Sequence, residues 1–509
     1  MNARMIRSFR QFVLVGAVVS LLLVAASCSG DGGDDDTAPS GSPAEFAADW
    51  PLPNYDHANT RATFESEIDS TNVSQLEEAW RYELRLGGGS GAAATTPVII
   101  GGVVYLGDLL TNVHAVDAAT GEQVWMVDVD GPVFGPSGVA VDSGRVFANK
   151  KGNEIAAYDA TTADEMWATN LLMNGGTINI QPTVADGLVL AATSSLSIPG
   201  GRGTLFALDQ VTGEIVWSFD TIESEDLWGN PKLNSGGGAW YTPAVDVEAG
   251  VSYWGTSNPY PFPGAPGFPN GSSRPGDNKW TDSLVAIDLE TGTLNWGHQA
   301  VSHDLFDRDT VLTAVAELPD GEQVIISTGK LARVIGLDPD GTVLWDTPVG
   351  MHQNDDVESF EGALDVLPGA AGGVETPIAV ADGVVYVSVV NAPIEYTGPE
   401  QSSSGNDVRL GSFNSQLVAI DAANGEIIWD IDLPGDSFGA TTVVNDLVFT
   451  SMLSGEILAF DRATGEEVWS YQAPGGINGW PAFVDDRLVI PVGFANPPVL
   501  LALALPDES

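Results

Sequence analysis

Apolar and polar positions alternate through Val113-His-Ala-Val-Asp117, break at Ala-Ala-Thr-Gly121, and resume through Gln123-Val-Trp125. Period-two alternation predicts a strand on each side, and Asp-x-x-Thr-Gly predicts the turn that joins them. The Asp side chain can bond the turn amides, and Gly takes positive φ without a Cβ clash. The unit at 115–125 returns at 157–167, 207–217, 286–296, 419–429 and 459–469, one residue shorter at 336–345, and as a half copy in Gln75-Leu-Glu-Glu-Ala-Trp80. Each copy ends on a Trp, a large apolar plate that one hairpin cannot bury, so the copies must stack. A period of about 40 to 50 residues at four strands per unit is that of propeller blades, and closing the ring removes exposed sheet edges. Eight copies therefore predict an all-β, eight-bladed β-propeller. Arg487-Leu-Val-Ile-Pro-Val492 and Val499-Leu-Leu-Ala-Leu-Ala-Leu505 read as strands beyond the last Trp hairpin, predicted to share a blade with the front of the chain.

The repeats run from Trp80 to Trp469 of 509 residues, which favours one large ring over a string of small domains. Residues 1–28 carry Arg4, Arg7 and Arg10, then an apolar run from Phe12 to Ala26, then Ser27-Cys28. That reads as an export signal, too short to favour a spanning helix. Cys28 is the sole cysteine, so neither an internal disulfide nor a cysteine-ligated metal is possible. Its position resembles the lipobox of bacterial lipoproteins and predicts a lipid-anchored, exported protein, with 29–48 as a solvated acidic tether and 49–509 as the propeller. Against 69 acidic residues stand 19 basic ones, a net charge of -50, which makes nucleic acid and anionic membrane surfaces poor partners for the body of the protein. Contact with a membrane is expected through the lipid alone.

Two intervals between repeat tryptophans, Trp217 to Trp296 and Trp345 to Trp429, are long enough to hold insertions. Residues 259–277, rich in Pro and Gly, are expected to form a long ordered loop without strand, and 401–406 a polar Ser-rich one. Loops of this kind on one propeller face commonly build a ligand pocket. Asn54-Tyr-Asp-His-Ala-Asn-Thr-Arg61 has no place in the repeat. With Asn72-Val73 and 76–80, it resembles the lead-in of the quinoprotein alcohol dehydrogenases, eight-bladed propellers that use pyrroloquinoline quinone (PQQ).

The resemblance is most specific over 236–309. Gly236-Gly-Gly-Ala-Trp240 is similar to the segment whose Trp forms the floor under the quinone, and a flat indole suits a planar cofactor. Tyr253-Trp-Gly-Thr-Ser-Asn-Pro259 resembles the segment whose Asn, here Asn258, gives an oxygen to the metal; Arg274-Pro-Gly-Asp-Asn-Lys-Trp-Thr281 also matches and is assigned a structural role. His303-Asp-Leu-Phe-Asp-Arg-Asp309 resembles the segment that carries the catalytic base. This implies Asp307 as base and as a metal ligand with Asn258, and Asp309 as the added acidic ligand of lanthanide-using members. Lys330 falls where the family places a cation on the quinone oxygen, and Asn179 is implied as a further quinone contact.

The resemblance thus implies an enzyme that passes hydride from a small alcohol to PQQ with Ca²⁺ or a lanthanide ion, then electrons to an external acceptor. The chain also departs from the pattern. The window before Arg202, Ser194 to Gly201, lacks the family's metal-binding Glu; the acid near Ala94-Thr-Thr-Pro97 and the Arg near Ser137 are missing; and one cysteine cannot make the adjacent-cysteine ring expected near Gly131-Pro-Val-Phe134. A noncatalytic propeller of the same repeat, binding proteins or ligands as outer-membrane assembly lipoproteins do, is the alternative.

Overall fold

In the computed structural model the described residues are 48–506, apart from 89, 174, 196 and 403–410. The export signal, Cys28, nearly all of the tether, and 403–406 of the Ser-rich loop lie outside them. Among the described residues, eight sheets each contain four antiparallel strands, one of them carrying a fifth, parallel strand. Blade 1 consists of Val98–Ile100, Val103–Gly107, Val113–Asp117 and Gln123–Val127. Blades 2 to 7 span 139–170, 183–220, 244–299, 312–348, 379–433 and 442–472. Blade 8 takes Ala482–Val484, Arg487–Val492 and Val499–Ala504 from one end of the chain and its outer strand, Glu77–Glu83, from the other. The closure expected from the half copy is what the register shows, with Glu77 opposite Ala504 and Glu83 opposite Val499.

Packing between blades accounts for each letter of the repeat. In blades 1 to 7 the Trp stands across the ladder from the small residue that opens its copy, as in Ala115 with Trp125 and Gly336 with Trp345. In blade 8 Trp80 faces Ala502, so the pair survives although its members come from opposite ends of the chain. The indole N–H of Trp80, Trp125, Trp167, Trp217, Trp296, Trp345 and Trp429 then crosses to the next blade. There it donates to the carbonyl just after the turn Asp, at 2.8 to 3.2 Å. Asp117 accepts the Thr120 N–H at 2.9 Å and the Thr120 hydroxyl at 2.9 Å, which sets the turn. The turn Gly is required twice over: Gly292 has φ of 71°, and a Cβ there would stand 2.6 Å from Trp217.

Two features outside the repeat position the site. Residues 54–63 run across the ring and bond successive inner strands. Val245 N–H donates to His57 O at 2.6 Å, Val315 to Ala58 O at 2.8 Å, Val380 to Thr60 O at 2.8 Å and Val443 to Arg61 O at 2.9 Å. Ala62–Thr63 adds a parallel strand to blade 7. Arg61 is fully buried and donates to Thr441 O, Pro53 O, Asn54 Oδ1, Thr96 Oγ1, Thr442 Oγ1 and Pro481 O, so one side chain ties blades 1, 7 and 8 to the segment. The lead-in is therefore an axial plug.

The two insertions form a joint cap. Asn270 and Phe360 exchange bonds through Asn270 Nδ2 to Phe360 O, 3.2 Å, and Phe360 N to Asn270 Oδ1, 3.1 Å. Leu305, Phe306, Phe360, Val366, Ala370, Ile394 and Tyr396 make a small apolar core beneath. Residues 259–277 are not wholly strand-free: Pro259–Tyr260 pairs with Ser235–Gly236, because the three-glycine run lets two backbones approach closely. Arg274, fully buried, holds the loop through Pro261 O, Asn278 Oδ1 and Asp304 O.

Candidate functional site

The segments that lead into the inner strands converge at the mouth of the ring. In blade 4, Gly236, Gly237 and Gly238 all have positive φ, and a Cβ on Gly238 would lie 2.0 Å from Thr193 O. This run delivers Trp240, half-buried, with Tyr241 beside it at 4.5 Å between ring centroids. In blade 5, Asp304 accepts the N–H of Phe306 (2.7 Å) and of Arg308 (2.9 Å), and the tight turn it builds presents Asp307 at φ of 68°.

Lys330 ties these pieces together. Its ammonium lies 2.9 Å from Asp307 Oδ2, 2.8 Å from Asp309 Oδ2 and 5.4 Å from the centre of the Trp240 ring. Its backbone N–H donates to Asp309 O at 2.9 Å, so the bridge is braced at both ends of the residue. Asn258 joins through its main chain, N–H to Asp309 Oδ1 at 2.7 Å, while its side-chain amide donates to Pro259 O at 3.1 Å. Thus Trp240, Asn258, Asp307, Asp309 and Lys330 come together. Asn179 stands apart: its Oδ1 accepts from Ser194, and Ser194 bridges to Gly238, two residues before Trp240.

Burial pushes the Asp307 carboxyl up to about 7, against the pull of the Lys330 ammonium and with a further push from Asp309. Burial acts to lower the Lys330 pKa, but Asp307 and Asp309, with Glu375, outweigh it and hold the ammonium well above its ordinary value. Glu375 is raised to about 8, chiefly by burial. This third carboxylate was not foreseen. The signal was present: Tyr241-Thr-Pro243 and Glu375-Thr-Pro377 are the same step into an inner strand, and the Tyr241 hydroxyl bonds Glu375 O at 2.5 Å.

The cluster fits a flat aromatic quinone: an aromatic face only half-buried, with a held cation above it. It does not make a complete metal centre as the side chains stand. Hard divalent ions take about six to eight oxygens. Here Lys330 holds Asp307 Oδ2 and Asp309 Oδ2, the Asn258 N–H holds Asp309 Oδ1, and only Asp307 Oδ1 is buried without a partner. Among the described residues no three His, Cys, Asp or Glu side chains converge on one ion. Ser194 occupies the stretch where a Glu was expected.

A family model described as the β-propeller domain of glucose/ethanol/alcohol dehydrogenases matches residues 50–137 and 174–334, a span that includes the whole cluster except Glu375. A model of outer membrane protein assembly factor BamB matches 372–491. The chain is 26% identical over 482 residues to quinohemoprotein alcohol dehydrogenase of Comamonas testosteroni, covering 80% of this chain and 66% of that protein. It is 25% identical over 468 residues to lanthanide-dependent methanol dehydrogenase of Methylacidiphilum fumariolicum, covering 75% and 73%. The crystal structure of the Comamonas testosteroni enzyme has the same fold, with a TM-score of 0.77 at 22% identity over 91% of this chain and 81% of that one.

Proposed function

This chain is a divergent member of the PQQ-dependent alcohol dehydrogenase family, and we propose that it oxidises an alcohol, with PQQ bound against Trp240. The observation that carries the reading is the Lys330 ammonium held between Asp307 and Asp309 above that ring. Bound PQQ would supply the acceptor for the hydride that leaves the alcohol carbon. Trp240 offers it a stacking face, Asn179 an amide, and Lys330 a fixed positive charge where the quinone oxygens gain electron density. Asp307 takes the hydroxyl proton, and a carboxyl raised to about 7 is matched to that task near neutral pH. Asn258, Asp307 and Asp309 would hold Ca²⁺ or a lanthanide ion only if Lys330 yielded oxygens to it, so no step is assigned to a metal. Export, a lipid on Cys28 and an external electron acceptor belong to the same proposal. The BamB match over 372–491 favours a second reading, a noncatalytic binding propeller.

One experiment separates them. Purified protein is mixed with PQQ alone, with Ca²⁺ or with La³⁺, while quinone absorbance and dye reduction by alcohols are followed. Binding and turnover are expected; no binding under any of the three conditions would leave the scaffold reading. Turnover without added metal would assign the cationic role to Lys330.

A further inference from the structure

Several buried side-chain atoms around the base lack hydrogen-bond partners, Arg308 Nη2 and both Asp282 oxygens among them, and two of the set are complementary. Asp307 Oδ1 is an acceptor and Tyr396 OH a donor. Tyr396 belongs to the cap, in Ile394–Tyr396, which pairs with Leu364–Val366. Its side chain is fully buried, with its ring 5.5 Å from that of Phe306, the residue before Asp307. Asp307 is also the charge that acts most strongly on the phenol. Leaving a buried hydroxyl and a buried carboxylate oxygen unpaired is expensive, and native proteins seldom do it without a water, ion or ligand to receive them. A group that accepts from one and donates to the other, as a water or an alcohol hydroxyl does, would pair both.

We propose that Tyr396 is a further catalytic residue, its phenol O–H donating to the oxygen of the alcohol while Asp307 Oδ1 receives the alcohol's proton. The inference rests on the dehydrogenase reading above. Negative charge gathers on the alcohol oxygen as its proton leaves, so a fixed donor there does more in the transition state than in the ground state. Both atoms are buried, so the alcohol must be admitted beneath the cap to meet them. The cap insertion would then serve chemistry as well as cover.

The test compares the wild type with Tyr396→Phe, loaded with PQQ under whichever metal condition gives turnover. Because the variant removes a buried unpaired hydroxyl, its melting temperature is expected to hold or rise, and its PQQ affinity to stay unchanged. Its kcat/KM for ethanol should fall about hundredfold to thousandfold, and less for 2,2,2-trifluoroethanol, whose more acidic hydroxyl needs the donor less. Turnover within twofold of the wild type for both alcohols would overturn the assignment and leave the dehydrogenase reading intact. An equal loss for both, with a displaced pH profile, would also overturn it, since Tyr396 would then act only through Asp307. A wild type that binds no PQQ or oxidises no alcohol removes both inferences together.

Discussion

The turn residues and the charged cluster show what single side chains decide. Blade 2 uses Ala163, at φ of 63°, where the other turns have Gly. A left-handed conformation costs a non-Gly residue about 1 to 2 kcal/mol, so Ala163→Gly should raise the denaturation midpoint. Gly292→Ala should lower stability by about 1 to 3 kcal/mol, since its Cβ would press on Trp217 as well as on the backbone. At the site, Asp307 can act as a base only when ionised. With its pKa raised to about 7, kcat/KM should climb about tenfold per pH unit below 7 and level off above it. Lys330→Gln removes the cation that pulls this pKa down, so the limb should move to higher pH; a limb that stays in place would count against the pairing. Asp307 and Lys330 were legible as candidates from the segments around them. Glu375 and Tyr396 were not, because each is ordinary in its own stretch and acquires meaning only from the groups it is buried with.

At the scale of elements, the segments without repeat character carry the site. The axial plug contributes no residue to the Lys330 cluster, yet it bonds the inner strands beneath it. Burial lowers the Arg61 pKa to about 9, and its bonds go to carbonyls, hydroxyls and one side-chain amide oxygen. Arg61→Met would strip several buried acceptors of their donor. At about 1 to 3 kcal/mol for each orphaned group, unfolding in denaturant should show a loss of more than about 3 kcal/mol. Lys at this position should not rescue it, because one ammonium cannot span three blades. The insertions were legible as long loops, and the Pro-rich one as ordered. Their union into one cap was not, because the Asn270–Phe360 contact joins residues 90 positions apart with no shared pattern.

The whole molecule is a closed ring under strong self-repulsion. A net charge of -50 has few internal cations to offset it, and many of the acids lie on turns and outer strands. Screening contracts from about 10 Å at 0.1 M salt to about 3 Å at 1 M. Stability in urea is therefore expected to rise with NaCl across that range, and a flat or falling midpoint would show that the acids are locally compensated. Closure was legible because blade 8 must borrow a strand to bury Trp80. Similarity to a dehydrogenase family does not by itself carry activity at this divergence, since the same blades serve other ends.

What the sequence determined by itself was the local and periodic part: strands from alternation, turns from Asp and Gly, the count of blades from the count of Trp, and the need to close the ring. Those follow from interactions within a hairpin and between it and the next copy, which recur eight times and so leave a period. What only the tertiary structure decided was the site's composition. Which carboxylate oxygens Lys330 occupies, whether a metal's donors are free, and that Tyr396 OH and Asp307 Oδ1 each lack a partner depend on groups brought together from blades 4, 5 and 6 and the cap. Burial and proximity set their charges and bonds, and neither is written in the spacing of residues along the chain.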